Sequence, residues 1–300
     1  MLVRVNAVGI NFMDVHTRQG KYRSSVTYPV RTPCTLGMEG AGTVVACGPD
    51  TSEFKPGDHV AWCLHWGASA EYACVPAHRL VPVPAAISLA YAAGVLFHGL
   101  TAHYLAHDVG RLQQGQSVLV HAGGGNIANL LIQMATATHV QVYATASNSS
   151  KKERAQTAGA HVLDYANFDT RVRQLTQGKG VDVCFDSIGQ PTLRKSFAAT
   201  RRGGLVVNYG SVGGSVQDLD PIELGEAGSL YLTRPRLADY VAEPHILKKR
   251  ANDVFSRIIN KTLRPALQYR DGWNHIIPAM HALESRNSLE KVVVRLTPEQ

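Results

Sequence analysis

The stretch that most narrows what this chain can fold into lies between residues 117 and 135. An apolar run, Ser117-Val118-Leu119-Val120-His121-Ala122, meets three consecutive glycines, and an apolar helical pattern, Leu130-Leu131-Ile132-Gln133-Met134-Ala135, follows at once. The junction, Gly123-Gly124-Gly125-Asn126-Ile127-Ala128, matches G-x-G-x-x-A between a strand and a helix. Each small residue has a physical reason. Gly123 permits a tight turn, Gly125 lets the backbone approach a pyrophosphate, and Ala128 lets helix and strand pack closely. The helix start adds unpaired N–H groups and a partial positive charge. A turn that merely packs tightly would use the same glycines. The strand before it and the helix after it favour a dinucleotide site.

The surrounding pattern agrees. From about residue 93 to residue 235 apolar strand runs alternate with helical segments, at 117–122, 140–145, 161–164, 181–186, 205–209 and 229–233. Runs buried on both faces imply a parallel sheet covered by helices, and six of them complete a doubly wound Rossmann domain. Residues 1–92 read differently. Short strands such as 42–46 and 59–62 are broken by turn signals at Pro49-Asp50 and Lys55-Pro56-Gly57-Asp58, so this part is β-rich. The tail, 236–300, contains a helix pattern at 251–259 and a last strand, 291–296, expected to return to the β-rich domain.

The choice of dinucleotide rests on the end of the second Rossmann strand. A site for unphosphorylated NAD usually places an acid there to hold the ribose 2′-OH. Here the run is Thr145-Ala146-Ser147-Asn148-Ser149-Ser150-Lys151-Lys152, with no acid before Glu153. The hydroxyls of Thr145 and Ser147 and the lysine pair stand where a 2′-phosphate would lie, which favours NADPH. The alternative is a solvated lysine pair opening a helix. Lysine is slightly unfavourable at that end of the helix dipole, so a phosphate partner makes better sense of it.

Other classes recede. The five cysteines are widely spaced, with no C-x-x-C and no disulfide framework. Thirteen histidines are scattered, with no H-E-x-x-H; His103 and His107 share a helix face, where surface or packing roles are favoured over a metal site. No apolar run is long enough to span a bilayer, and no secretory leader is visible, so a cytoplasmic location is expected. The formal net charge of +7 suits anionic ligands and would permit nucleic acid, but the basic clusters are short and no aromatic-and-basic RNA motif is present.

Several separated motifs carry a family resemblance: Gly9-Ile10-Asn11-Phe12-Met13-Asp14, Gly37-Met38-Glu39-Gly40-Ala41-Gly42, Lys55-Pro56-Gly57-Asp58-His59-Val60, Gly99-Leu100-Thr101-Ala102, the glycine turn, Phe185-Asp186-Ser187-Ile188-Gly189, and the stretch 228–235. In this order they resemble the quinone oxidoreductase (zeta-crystallin-like) branch of the medium-chain dehydrogenase/reductase superfamily. The resemblance implies an N-terminally short GroES-like catalytic domain at 1–92, starting roughly 30 residues late and so without its first strands. It implies a Rossmann NADPH-binding domain at 93–235 and a segment at 236–300 that returns to the first domain. It implies a homodimer paired through the Rossmann sheets.

By position, Asn11 would lie beside the nicotinamide and Tyr22 would border the substrate pocket. Thr101, Ile127, Lys151, Tyr165, Ile188, Tyr209, Ser211 and Arg286 would line the NADPH site, with Lys151 and Tyr165 near the 2′-phosphate. The glycine turn departs from the family pattern at Asn126, where glycine is usual and where asparagine tolerates unusual backbone angles. His139 stands where a helix-ending glycine is usual.

Zinc-dependent members place Cys-His where this chain has Asn11-Phe12, and Gly-His-Glu where it has Gly37-Met38-Glu39. Phenylalanine and methionine do not supply the thiolate, imidazole or carboxylate that zinc prefers, so no metal is expected. Without a Lewis acid the acceptor must already be electrophilic: a quinone, an enone or another activated carbonyl compound. Asn11, Tyr22 or a water would donate a hydrogen bond to the developing oxyanion. The alternatives are a non-catalytic NADPH binder and an RNA-binding zeta-crystallin-like protein.

Overall fold

The structure is a computed structural model describing residues 1–49, 51–285 and 289–297. Its contacts divide the chain into two compact units, Met1–Leu100 with Tyr240–Gln300, and Thr101–Asp239.

Among the described residues, the first unit forms a seven-stranded sheet from β1 (Leu2–Gly9), β2 (Glu39–Ala46), β3 (His59–Cys63), β4 (Tyr72–Cys74), β5 (Val81–Pro82), β12 (Leu267–Asp271) and β13 (Lys291–Arg295). The order is β12-β13-β1-β2-β3-β5, with β4 also on β1. β1 is the organising strand. It pairs antiparallel with β2 on one side, and on the other with β4 through Leu2–Arg4 and with β13 through Ala7–Gly9. Val3 and Val5 point into the core while Arg4 between them is exposed, the alternation of a half-buried strand. The last strand therefore lies in the N-terminal sheet, and Val292 accepts the Ile10 N–H at 3.0 Å. Trp62 is fully buried in this core and packs the sheet.

Helices α1 (Phe12–Arg18), α9 (Pro244–Ile259) and α10 (Ile276–Glu284) belong to this unit, and α2 (Leu89–Tyr104) and α8 (Leu237–Tyr240) straddle the division. The early turns of α2 stay with the sheet because glycines let them come close. A Cβ on Gly94 would meet Val293 Cγ2 at 2.6 Å, and one on Gly9 would meet the Ala93 carbonyl oxygen at 2.1 Å. By its contacts the chain accordingly divides after Leu100.

The second unit is a parallel sheet of β6 (Ser117–Val120), β7 (Gln141–Thr145), β8 (His161–Leu163), β9 (Val181–Asp186), β10 (Thr200–Asn208) and β11 (Tyr231–Thr233). Every pairing is parallel and the order is β11-β10-β9-β6-β7-β8. Counted from β6 this is the doubly wound dinucleotide order, whose switch point lies at the carboxyl end of β6. The helices between strands are α3 (Asn126–Ala137), α4 (Ser149–Thr157), α5 (Phe168–Leu175), α6 (Leu193–Ala199) and α7 (Ile222–Glu226). Leu119, Phe168, Phe197 and Val206 anchor one side of the sheet. At the end of α3, His139 adopts φ 56°, the left-handed conformation that favours glycine there.

Candidate functional site

The glycine turn follows β6. Its left-handed residue is Ala122, with φ 54°, and not Gly123. Packing is what requires Gly123: a Cβ there would meet Ala144 Cβ at 2.8 Å and Ala155 Cβ at 3.1 Å. Gly124 is tighter still, with a Cβ falling 2.5 Å from Lys151 Cβ and 2.7 Å from Lys151 Cα, so the first turn of α4 is drawn against the glycine turn. Gly125 caps α3, and a Cβ there would meet only the Ala122 oxygen, at 3.1 Å. The turn thus presents bare backbone in front of a helix N-terminus, a cradle for a pyrophosphate.

Asn126 is the first residue of α3 and is absent from the positive-φ positions, so its side chain and not its backbone tolerance matters. Its Oδ1 accepts from Arg154 Nη2 at 2.9 Å, and Arg154 Nη1 donates to the Gly124 oxygen at 3.1 Å. Arg154 is a cation at the turn that sequence reasoning missed. The available signal was its place three residues after Lys151 on α4, on a shared helix face. Asn148 caps α4 by accepting the Lys151 N–H at 3.0 Å. Lys152 is paired with Asp164 at 2.5 Å, so Lys151 is the lysine seated against the turn.

Thr145 ends β7 but faces inward. It is fully buried, and its hydroxyl bonds His121 Nδ1 at 2.8 Å. Ser147, just beyond, is exposed. His121 Nε2 bonds Ser196 Oγ at 2.9 Å, and Ser196 Oγ donates to Asp186 Oδ2 at 2.9 Å. Asp186 also accepts from the Ile188 and Gly189 N–H groups and from the Thr192 hydroxyl. This buried chain fixes the loop after β9 relative to the glycine turn. Tyr165 stacks on His121 and accepts the Ala122 N–H at 3.1 Å, so it touches the turn from within. Ile188 and Tyr209 are half-buried, Ser211 is exposed, Ile127 is half-buried on α3, and Thr101 is buried. Arg286 lies outside the described residues.

Burial takes the His121 pKa down from its ordinary 6.5 to about 4, against the opposing pull of Asp186. The unfolded chain therefore takes the proton first as the pH falls, and His121 withdraws about 3 kcal/mol of stability between about pH 6.5 and about pH 4. Asp14 in the first unit works the other way. Burial raises its pKa from 3.8 to about 6, so the folded form takes that proton first. Asp14 opposes the His121 effect in the wild type, so the comparison of variant with wild type is what isolates the histidine. In His121→Gln the first effect is gone, so the deficit of the variant relative to wild type should narrow as the pH falls. Denaturant unfolding of both proteins near neutral and near acid pH checks this, and parallel profiles would contradict it.

In the first unit, residues far apart in sequence form one buried cluster. Asn11 follows β1 and precedes α1, Glu39 opens β2, and Lys291 opens β13. Asn11 is 2% exposed, Glu39 0% and Lys291 2%. The Lys291 ammonium donates to Asn11 Oδ1 at 2.5 Å and to Glu39 Oε2 at 2.8 Å. Asn11 Nδ2 donates to Glu39 Oε2 and to the Gly9 oxygen, both at 2.9 Å. Glu39 Oε1 accepts the Phe97 N–H at 2.7 Å. Asp14 braces the entry: one oxygen accepts the Asn11 N–H, the other the N–H groups of Gly37 and Met38.

Two consequences follow. Both amide hydrogens of Asn11 are engaged, so Asn11 is not an oxyanion donor in this arrangement. A zinc ion does not fit: Asn11 and Met38 are poor donors, and the Glu39 carboxylate is bonded to an ammonium. Sequence reasoning missed Lys291, because a lysine at the start of a terminal strand looks like a solvated edge residue. Tyr22 belongs to an aromatic run in which Phe12, His16, Tyr22 and Tyr28 follow one another at 5.8–6.1 Å between ring centroids.

The chain matches two family descriptions, the alcohol dehydrogenase GroES-like domain over residues 1–85 and the zinc-binding dehydrogenase over residues 127–236. It is 35% identical over 272 residues to a quinone oxidoreductase of Pseudomonas aeruginosa, covering 89% of this chain and 82% of that protein. It is also 35% identical over 250 residues to a 2-haloacrylate reductase of Burkholderia, covering 80% and 74% of the two chains. A mycobacterial structure solved with NADPH superposes with a TM-score of 0.91 at 35% identity, covering 98% of this chain and 91% of that one. With the doubly wound sheet, the glycine cradle and the β-rich unit all in place, the chain belongs to the quinone oxidoreductase, zeta-crystallin-like branch of the medium-chain dehydrogenase/reductase superfamily.

Proposed function

We propose that the chain is a zinc-independent, NADPH-dependent oxidoreductase that reduces quinones and activated enones. The observation that carries this reading is the buried Lys291–Glu39–Asn11 cluster. Its donors do not suit a metal, so the acceptor must be electrophilic by itself, as a quinone or enone is. The likeness to a quinone oxidoreductase and to a 2-haloacrylate reductase supports both acceptor types.

Gly123, Gly125 and Ile127 with the start of α3 would hold the pyrophosphate. Lys151, Ser147 and Arg154 would hold the 2′-phosphate with Tyr165 near it, and Ile188, Tyr209, Ser211, Thr101 and Arg286 would lie along the rest of the cofactor. NADPH, when bound, supplies a hydride to the acceptor. The protein's part is to place the acceptor and exclude water. Asn11 orients the nicotinamide end. The hydrogen bond to the developing oxyanion comes from Tyr22 or a water, since the Asn11 hydrogens are committed, and the proton that completes a hydroquinone comes from solvent.

NADPH oxidation with a panel of benzoquinones and α,β-unsaturated ketones tests this, alongside NADH and with a chelator present. Turnover with NADPH, weaker use of NADH and indifference to the chelator are expected. Preference for NADH, or loss of activity on chelation, would overturn it.

A homodimer is part of the proposal. β11 is an edge strand of the parallel sheet and carries Tyr231 at 70% exposed. Light scattering should give twice the chain mass, and a monomer would contradict it. The compartment we propose is the reducing cytosol, where the exposed thiols of Cys34 and Cys74 persist.

A further inference from the structure

Lys291 has no part in the reaction outlined above, yet it is buried at a cost. Its ammonium is 2% exposed, at the end of a strand drawn from the far terminus of the chain, and it bonds two side chains 28 residues apart. An apolar residue of similar length would fill that space and spare the desolvation of a charge. What an apolar residue cannot do is give direction to its neighbours.

We infer that Lys291 is a positioning residue for hydride transfer, locking the Asn11 amide in one orientation. This rests on the reading that Asn11 lies beside the nicotinamide of bound NADPH. The Asn11 oxygen faces the ammonium at 2.5 Å, while its nitrogen faces the Glu39 and Gly9 oxygens at 2.9 Å each. Turning the amide over would set NH2 against NH3⁺ and oxygen against two oxygens. The lock is therefore electrostatic on both sides. A metal ion fixes its ligands by the same means, binding them at one positive centre, and here the ammonium is that centre.

The lock sits on rigid elements. Lys291 opens β13, which is paired on one side with β1 and on the other with β12, and the Lys291 N–H donates to the Ala266 oxygen at 3.0 Å. Glu39 is held from its other oxygen by Phe97 N–H of α2. Asp14 ties Asn11 to the strand entry at Gly37 and Met38. Such support keeps a functional group within the small tolerances that chemistry demands. A misplaced group costs rate more than affinity, because the geometry matters most in the transition state.

The test uses the whole enzyme, first establishing wild-type turnover with NADPH and a benzoquinone. Lys291→Met/Glu39→Gln removes the charge pair together, so no lone charge is left buried. It is expected to keep NADPH affinity, read by tryptophan fluorescence quenching, within about threefold. It should lower kcat by about ten- to a hundredfold and raise the isotope effect with NADPH deuterated at the transferred position. Adding Asn11→Ala to the pair should lower kcat by less than about twofold more, because the two act as one unit.

Unchanged kcat and isotope effect, or fully independent losses for Asn11 and Lys291, would overturn the inference. If the double variant does not fold, Lys291→Ala with added ethylammonium replaces it. Recovery of kcat with ethylammonium and not with ethanol supports the lock, and equal response to both refutes it. If wild-type protein transfers hydride from NADPH to none of the quinones or enones, the functional reading fails separately. The Asn11 side-chain amide signal in ¹⁵N NMR then decides: two distinct, protected protons that merge in the Lys291 variant support the lock, and an unaltered signal sinks it.

Discussion

Replacing Glu39 with alanine is expected to destabilise the first unit by about 3–5 kcal/mol, the range for removing one partner of a buried ion pair. The carboxylate serves three groups at once: the Lys291 ammonium at 2.8 Å, the Asn11 amide at 2.9 Å and the Phe97 N–H at 2.7 Å. Its loss leaves a charge at 2% exposure whose remaining hydrogen bond is to the Asn11 amide oxygen, with the Asp14 carboxyl as a neighbouring acidic group. Water cannot readily replace the missing oxygens, because β1, β2 and α2 enclose the site. Glu39→Gln keeps the shape and one acceptor, so its cost should be smaller. Turnover should fall steeply in both, since Asn11 loses a tether. Guanidinium unfolding of wild type and both variants measures the effect, and an alanine variant within about 1 kcal/mol of wild type would show that Lys291 finds another partner.

The second large effect is expected at Gly124. Valine there cannot be accommodated by a side-chain adjustment, because the new Cβ falls 2.7 Å from Lys151 Cα, a backbone atom. The first turn of α4 must move away from the glycine turn. That displacement carries Lys151 and disturbs the Arg154 bonds to Gly124 and Asn126. Overpacking of this kind costs about 1–3 kcal/mol in stability. The larger consequence is for the cofactor, since both cations and the turn backbone shift together. NADPH affinity should fall by at least about tenfold, equivalent to about 1.4 kcal/mol. Gly225→Ala is the control: that glycine lies in α7 at negative φ with nothing within 4 Å of a Cβ, so binding should be unchanged. Fluorescence titration with NADPH reads both. Equal affinity in Gly124→Val and wild type would mean that α4 plays no part in holding the phosphates.

The parallel sheet was legible because it rests on local signals. Apolar runs such as Val181–Phe185 alternate with helical periods, and the glycine turn sits where strand gives way to helix. The lysine pair after β7 could be found by counting from that turn. Other features were legible only in part. The three glycines announced a tight junction, but not that Ala122 would take the left-handed position while Gly123 and Gly124 serve packing against Ala155 and Lys151. Thr145 looked like a phosphate ligand from its place at a strand end. Strand alternation turned it inward to His121.

The chain's own order of residues was enough to determine the class of fold and the dinucleotide turn, because each depends on neighbours within a few positions. The meeting of Asn11, Glu39 and Lys291, the hold of Arg154 on Asn126 and the buried chain from His121 to Asp186 were decided only when sheets closed and helices docked. Hydrogen bonds and charge pairing act through space over a few ångströms, and only the folded backbone brings residues 280 positions apart to 2.5 Å.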